Sequence, residues 1–306
     1  MSSMSRIRIG ISGWRYRGWR GTFYPKGLRQ RDELAYAARH FNSIEINGTF
    51  YSLQRPDYFA AWAAEVPDGF VFSVKGPRFI THMKKLRDAE GPLANFFASG
   101  VLRLGAKLGP IFWQLPPRLS FDRERLETFF KLLPRTTAAA AELARRHDAR
   151  MAGRTWLETD LDRPLRYGIE IRHDSFRDPA FIALLRAHDI GLVVADTVAW
   201  PLLMDVTSDF VYCRLHGSEQ LYVSGYEPEA LAAWAERATA WALGSEPPDA
   251  VRAADPASIE RRPRDVFVYF DNDAKVRAPY DAMGLIGRVR ERVQDPGSEP
   301  RPALPR

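Results

Sequence analysis

Short apolar runs that end in a polar or charged residue recur along the chain as GISGW, EINGTFY, SVKGPRF, WQLPP, EIRHDSF, VVADT, RLHG and YFDNDA. Stretches with helical periodicity lie between most of them. Strands that alternate with helices build a parallel sheet, and eight such units in about 250 residues predict an α/β fold, a (β/α)8 TIM-like barrel in a single domain. The strands read as residues 7–12, 43–47, 70–75, 110–114, 167–172, 191–196, 210–216 and 265–271. Helices are expected over 34–40, 58–64, 95–107, 122–133, 179–188 and 228–242, the second introduced by Pro56. Residues 244–263, rich in Pro and Asp, read as a surface excursion before the last strand. The barrel domain is assigned to residues 1–290 and a Pro-rich, disordered tail to 291–306.

Side chains two apart on a strand share a face. In SIEIN, Ile44 and Ile46 then face the helices while Glu45 and Asn47 face the barrel axis. By the same rule Ser73 and Lys75, Glu170 and Arg172, and Arg214 and His216 face inward, and Gln114, Asp196 and Asp271 close their strands in the same manner. Barrel interiors are ordinarily filled by branched apolar side chains, and unpaired charge there is costly. Charge at so many inward positions near strand ends therefore marks the C-terminal mouth, where barrel enzymes keep their chemistry, as the candidate site.

Each residue has a chemical and a structural reading. Glu45 and Glu170 suit acid–base work or metal ligation, or else neutralise Arg172 and Arg214. Lys75 can hold a phosphate or carboxylate, form a Schiff base if buried, or pair with Glu45. His216 is the best-placed general acid or base, ahead of His82 and His173, which lie just past their strands. Trp14, Asn47, Lys75, Gln114, Arg172, Arg214, Asp271 and Asn272 are the substrate-binding candidates. A divalent metal would draw on Glu45, Glu170, Asp196, His216 and Asp271, although no compact motif such as HExxH is present. Aromatic residues gather in the same loops: Trp14, Tyr16 and Trp19, then Phe50 and Tyr51, then Tyr222 and Tyr226. They suit a sugar ring or a nucleobase, or simply roof the barrel.

Composition changes this picture little. The 306 residues carry a net charge of +6. The cations are 37 Arg against 7 Lys, dispersed among acids, and the best basic patch is Arg15, Arg17, Arg20, Arg29 and Arg31. Nucleic acid is therefore a disfavoured partner. Cys213 is the single cysteine and lies within a strand, which excludes a disulfide framework and a Cys-based metal site. No run approaches a membrane span and no signal segment precedes the first strand, so a cytoplasmic location is expected.

Taken in order, GISGWRYRGWRGTFYP, FNSIEINGTFY, FVFSVKGPRFITH, FWQLPP, EIRHDSF, ADT, RLHG and VYFDNDA resemble the successive motifs of the YecE-like family, domain of unknown function 72. The likeness spans residues 7–288. It implies a TIM-barrel fold and no particular activity, so no catalytic role is carried over. The functional expectation rests on the residues themselves. It is an enzyme, a hydrolase, lyase or isomerase, acting on an anionic or hydroxylated small molecule, sugar-like or phosphorylated. Glu45, Glu170 and His216 would transfer protons, with Lys75, Arg172 and Arg214 binding. The alternatives are nucleic-acid contact through the first loop (Arg15, Tyr16, Arg17, Trp19, Arg20) and a non-catalytic ligand-binding module.

Overall fold

The computed structural model describes residues 6–217, 221, 224–256, 261–272 and 275–294. Its strands are β1 (Ile7–Ser12), β2 (Ser43–Ile46), β3 (Val71–Lys75), β4 (Leu108–Gln114), β5 (Tyr167–Glu170), β6 (Ile190–Asp196), β7 (Phe210–Leu215) and β8 (Asp265–Phe270). They pair in parallel, each with the next, and β8 returns to β1 to close the barrel. Each coincides with an anticipated strand to within two residues at either end.

The helices are α1 (Glu33–Ala37), α2 (Gly48–Tyr51), α3 (Pro56–Glu65), α4 (Glu90–Ala98), α5 (Arg123–Leu132), α6 (Thr137–Ala144), α7 (Pro179–Ala187), α8 (Pro228–Ala242) and α9 (Arg277–Gln294). Local chemistry sets several starts. The Asp122 carboxylate accepts from the Arg125 amide at the head of α5, and Asp178 accepts from the Ala180 amide ahead of Pro179 at the head of α7. The helix expected over 95–107 is instead two pieces. After α4 the chain turns at Gly100, whose φ of 104° is a left-handed value suited to glycine, and continues as a 3-10 segment over Val101–Lys107. Neither α6 nor α9 was anticipated.

Strand alternation divides the core in two. Ile9, Ile44, Val74, Ile169, Val194 and Val268 face outward into one apolar cluster shared with the helices. Phe112, Val193, Phe210, Tyr212, Phe267 and Tyr269 face inward as a second cluster that fills the lower barrel. Tyr212 stacks on Phe267 and lies 5.2 Å, centroid to centroid, from both Phe112 and Tyr269. The closest backbone approach at a glycine is in the sheet: a Cβ on Gly10 of β1 would lie 1.8 Å from the Ser43 carbonyl oxygen of β2.

Asp205, in the loop after β6, accepts hydrogen bonds from the amides of Ala253 and Ala254, so the 244–263 excursion is laced down there. Helix α9 runs through 291–294, the first residues assigned to the tail, and the remainder of that assignment lies outside the described residues. Cys213 is buried and its thiol is pushed well above its ordinary range by burial. Among the described residues no helix is long and apolar enough to cross a membrane.

Candidate functional site

Above the aromatic layer, the inward positions at the strand ends hold one connected network centred on Arg214, which is fully buried. Its guanidinium donates to Glu45 through Nε and Nη2 (both 3.0 Å), to Glu170 Oε2 through Nη1 (2.7 Å), and to Asp271 Oδ2 through Nη2 (2.7 Å). Glu45 also accepts from the Ser12 hydroxyl and from the Tyr212 phenol, the latter at 2.7 Å. Asn47 Nδ2 donates to the same Ser12 hydroxyl. Arg172 donates to Glu170 Oε1 and Gln114 Oε1, each at 2.8 Å, and its guanidinium lies 3.6 Å from the centre of the Trp200 ring.

The electrostatics follow from this geometry. Burial alone would raise the Glu170 carboxyl, but Arg214 and then Arg172 outweigh it and hold it well below the usual carboxylate range. Asp271 is held low in the same way by Arg214 and the neighbouring His216 against its own burial. For His216, burial and then Arg214 depress the pKa, so the ring is neutral near pH 7. Its Nε2 lies 3.4 Å from Arg214 Nη1, which can only donate, so Nε2 accepts. The ring proton then sits on Nδ1, 3.2 Å from Asp271 Oδ2.

Lys75 is the exception in the ring. Its Nζ lies 4.4 Å from the centre of the Phe50 ring and 5.7 Å from that of Phe112. Among the described residues this amine makes no hydrogen bond and no ion pair, so Lys75 does not pair with Glu45. Burial, then the charge of Arg214, bring its pKa down to about 8, with Asp271, Glu170 and Glu45 opposing. His82, in the turn after β3, is drawn into the same field. Burial, then Arg172 and Lys75, lower its pKa to about 4, and its ring stands edge-on to Phe50.

Most anticipated residues converge here, and three do not. Asp196 faces α8 and accepts from Trp234 Nε1 at 3.1 Å, because Val193 faces the axis and parity turns Asp196 outward. Trp14 packs edge-on against Trp62 of α3 in the outer core instead of lining the mouth. Asn272 bonds the Ser224 carbonyl and Asp281 of α9, tying the loop after β7 to that helix. The metal-ligand set Glu45, Glu170, Asp196, His216 and Asp271 does not assemble. Among the described residues no three His, Cys, Asp or Glu side chains converge to hold a metal ion, since Arg214 occupies the point the carboxylates surround.

Among the aromatics, Trp19 is buried against Tyr16, Phe23 and Tyr24, and Tyr51 is exposed. Tyr222 lies outside the described residues. His173 turns its ring to the Ser175 amide and hydroxyl. The residues that sequence reasoning missed are Ser12, Tyr212 and Trp200. Parity with Gly10 and Arg214 would have found the first two, whereas Trp200 sits in an irregular loop without a pattern to place it.

Beside the mouth lies a cavity of about 270 Å³ lined by Phe50, Tyr51, Phe79, Met83, Arg78 and Arg154 among others. Phe50 is common to this cavity and to the surroundings of Lys75.

Comparison with known proteins agrees with the fold. Residues 8–305 match the family model described as "Protein of unknown function DUF72". The chain is 26% identical over 170 residues to UPF0759 protein YecE of Escherichia coli (strain K12), covering 56% of this chain and 50% of that protein. Against UPF0759 protein YunF of Bacillus subtilis (strain 168) it is 25% identical over 125 residues, covering 39% and 43%. The aligned segments thus span half or less of these curated relatives. Among solved structures, a DUF72 family protein (TM1631) from Thermotoga maritima superposes with a TM-score of 0.66 at 21% identity, covering 94% of this chain and 99% of that one. Another from Enterococcus faecalis V583 (EF0366) gives 0.63 at 17%, covering 93% and 95%. At these identities the likeness shows the fold alone.

Proposed function

The chain belongs to the DUF72 family, and from that premise and the chemistry of its own barrel mouth we propose that it is an enzyme acting on an anionic or hydroxylated small molecule at the C-terminal ends of the strands. The observation that carries this reading is Lys75. A purely structural network pairs every charge it buries, yet among the described residues this ring leaves one ammonium without an ion-pair or hydrogen-bond partner, beside an open cavity.

The roles follow from exposure. Glu45 and Glu170 are fully buried, and both are spoken for by arginines. They act as positioning residues that hold Arg214 and Arg172. Arg172, Lys75 and Asp271 stand at the rim and are the groups that meet substrate. His216 keeps Asp271 ionised and oriented through its Nδ1 proton. The neighbouring cavity receives the part of the substrate that does not react.

The test is a thermal-shift screen of the wild type and Arg172→Gln against sugar phosphates, hydroxy acids and nucleotides. Bound ligand raises the melting temperature by mass action. A shift present in the wild type and lost in Arg172→Gln supports the reading and names a substrate class to assay for turnover. A ligand that shifts both proteins equally places binding elsewhere and overturns it. A saturable ligand recovered chemically unchanged after long incubation favours a binding module.

Nucleic-acid contact is the second reading, and it moves away from the first loop, whose Trp19 is buried. A hollow of about 390 Å³ lined by Lys84, Lys85, Arg87, Arg118 and Arg125 is what favours it. Single-stranded DNA should then bind with a steep salt dependence that Arg87→Gln and Arg118→Gln reduce together. No gel shift at low ionic strength removes it.

A further inference from the structure

We propose that Lys75 is a covalent nucleophile that forms an imine with an aldehyde or ketone carrying hydroxyl or acid groups; this rests on the mouth being the reaction site. Two tasks are open to a lysine at the end of a barrel strand. Holding an anion requires a lasting positive charge, whereas attack on a carbonyl requires a neutral amine with a free lone pair. The surroundings of Lys75 favour the second. Its stem and amine lie against the Phe50 and Phe112 rings, and the three nearby carboxylates are engaged by Arg214 and Arg172. Its backbone is fixed, with its own carbonyl accepting from Thr49 Oγ1 at 2.6 Å, so the amine is presented from a rigid base. The pKa of about 8 agrees with this geometry.

The charges of the site also suit the step. The ring holds Arg172 and Arg214 against Glu45, Glu170 and Asp271, so a neutral Lys75 leaves one negative charge in excess. The lysine nitrogen attacks the carbonyl carbon, and the C=O electron pair moves to oxygen, which gains the proton that nitrogen releases. The carbinolamine then takes one further proton and loses water, leaving a protonated C=N bond. Amine, carbonyl and one proton thus become iminium and water, with no redox partner involved. The iminium restores the missing positive charge among the carboxylates. Asp271, the most exposed carboxylate of the ring, and the neutral ring of His82, both within electrostatic reach of Lys75, are the groups the proposal assigns to pass these protons.

Reductive trapping tests the proposal on the full-length protein. The chain is incubated with glycolaldehyde, glyceraldehyde, dihydroxyacetone or pyruvate, with and without sodium cyanoborohydride, and read by intact mass and peptide mapping. The expected result is a single reduced adduct on Lys75, formed about tenfold or more faster than on any of the other six lysines. It is absent from Lys75→Met and Lys75→Arg, both checked for native circular dichroism. Equal labelling of all lysines, or labelling unchanged in Lys75→Met, overturns the proposal. Should Lys75 stay untrapped while a mouth ligand still gives a shift that Arg172→Gln abolishes, the imine falls and the mouth reading stands. If neither trapping nor shift is seen, both fall.

Discussion

At the scale of single residues, the site is decided by which carboxylate each cation takes. Arg214 engages three, and removing it leaves Glu45, Glu170 and Asp271 to repel one another out of water. Arg214→Met should therefore destabilise the protein by about 3–5 kcal/mol in urea unfolding. A loss under about 1 kcal/mol would mean that the carboxylates are not held by this side chain. Lys75 has the opposite signature. Its folded pKa of about 8 lies below the ordinary 10.5, so between those values the unfolded chain binds the extra proton. The resulting penalty is full below pH 8 and is relieved as pH rises toward 10.5. Relative to Lys75→Met, wild-type stability should thus climb through that window by up to about 1.4 kcal/mol per pH unit. The variant should also be the more stable protein at pH 7. Parallel pH profiles for the two would show that Lys75 is not desolvated. Parity in the sequence exposed Glu45, Glu170, Arg172, Arg214 and His216 as inward residues. From the sequence, Lys75 pairing with Glu45 is an equal reading, because the choice between lysine and arginine depends on how far each side chain reaches.

At the scale of elements, strands were more legible than helices. Each barrel strand is a short apolar run closed by turn residues, a pattern that needs no partner to be seen. Asp196 shows its limit: a polar residue at a strand end reads as facing the axis, but the register of β6 puts Val193 inside and Asp196 under α8. Helix α6 escaped because TAAAAELA has almost no apolar–polar contrast, whereas α9 carries a helically spaced buried stripe, Ala278, Ala282, Leu285 and Val289, that Pro279, Gly284 and Gly287 obscure as apparent breakers. The β1–β2 contact makes a sharper demand than either. Gly10→Ala would drive a methyl group into the Ser43 carbonyl, so the two strands must separate. Chemical denaturation should show a loss of about 3 kcal/mol or more. Near-native stability would show that the strands lie farther apart than described.

For the whole molecule, closure is the organising fact. β8 pairs with β1 along five register positions, and α9 packs on β1, β8 and α8, sealing the seam between the first and last strands. A chain ending at residue 276 should therefore lose cooperative unfolding, not merely a few degrees of melting temperature. A sharp transition in that truncation would show that the barrel closes without α9. The TIM-barrel class was readable from strand count and alternation, whereas this seal was not, since it joins segments more than 250 residues apart.

The same closure has a kinetic side. Because Phe210, Tyr212, Phe267 and Tyr269 fill the lower barrel, a ligand bound at the mouth would be barred from passing through to the other end. A ligand that enters at Arg172 and Lys75, as proposed, would leave past them, and the next molecule would wait outside until it does. On the proposed reading, a product that lingers there would rival its own precursor, and would inhibit by occupying the threshold that both cross.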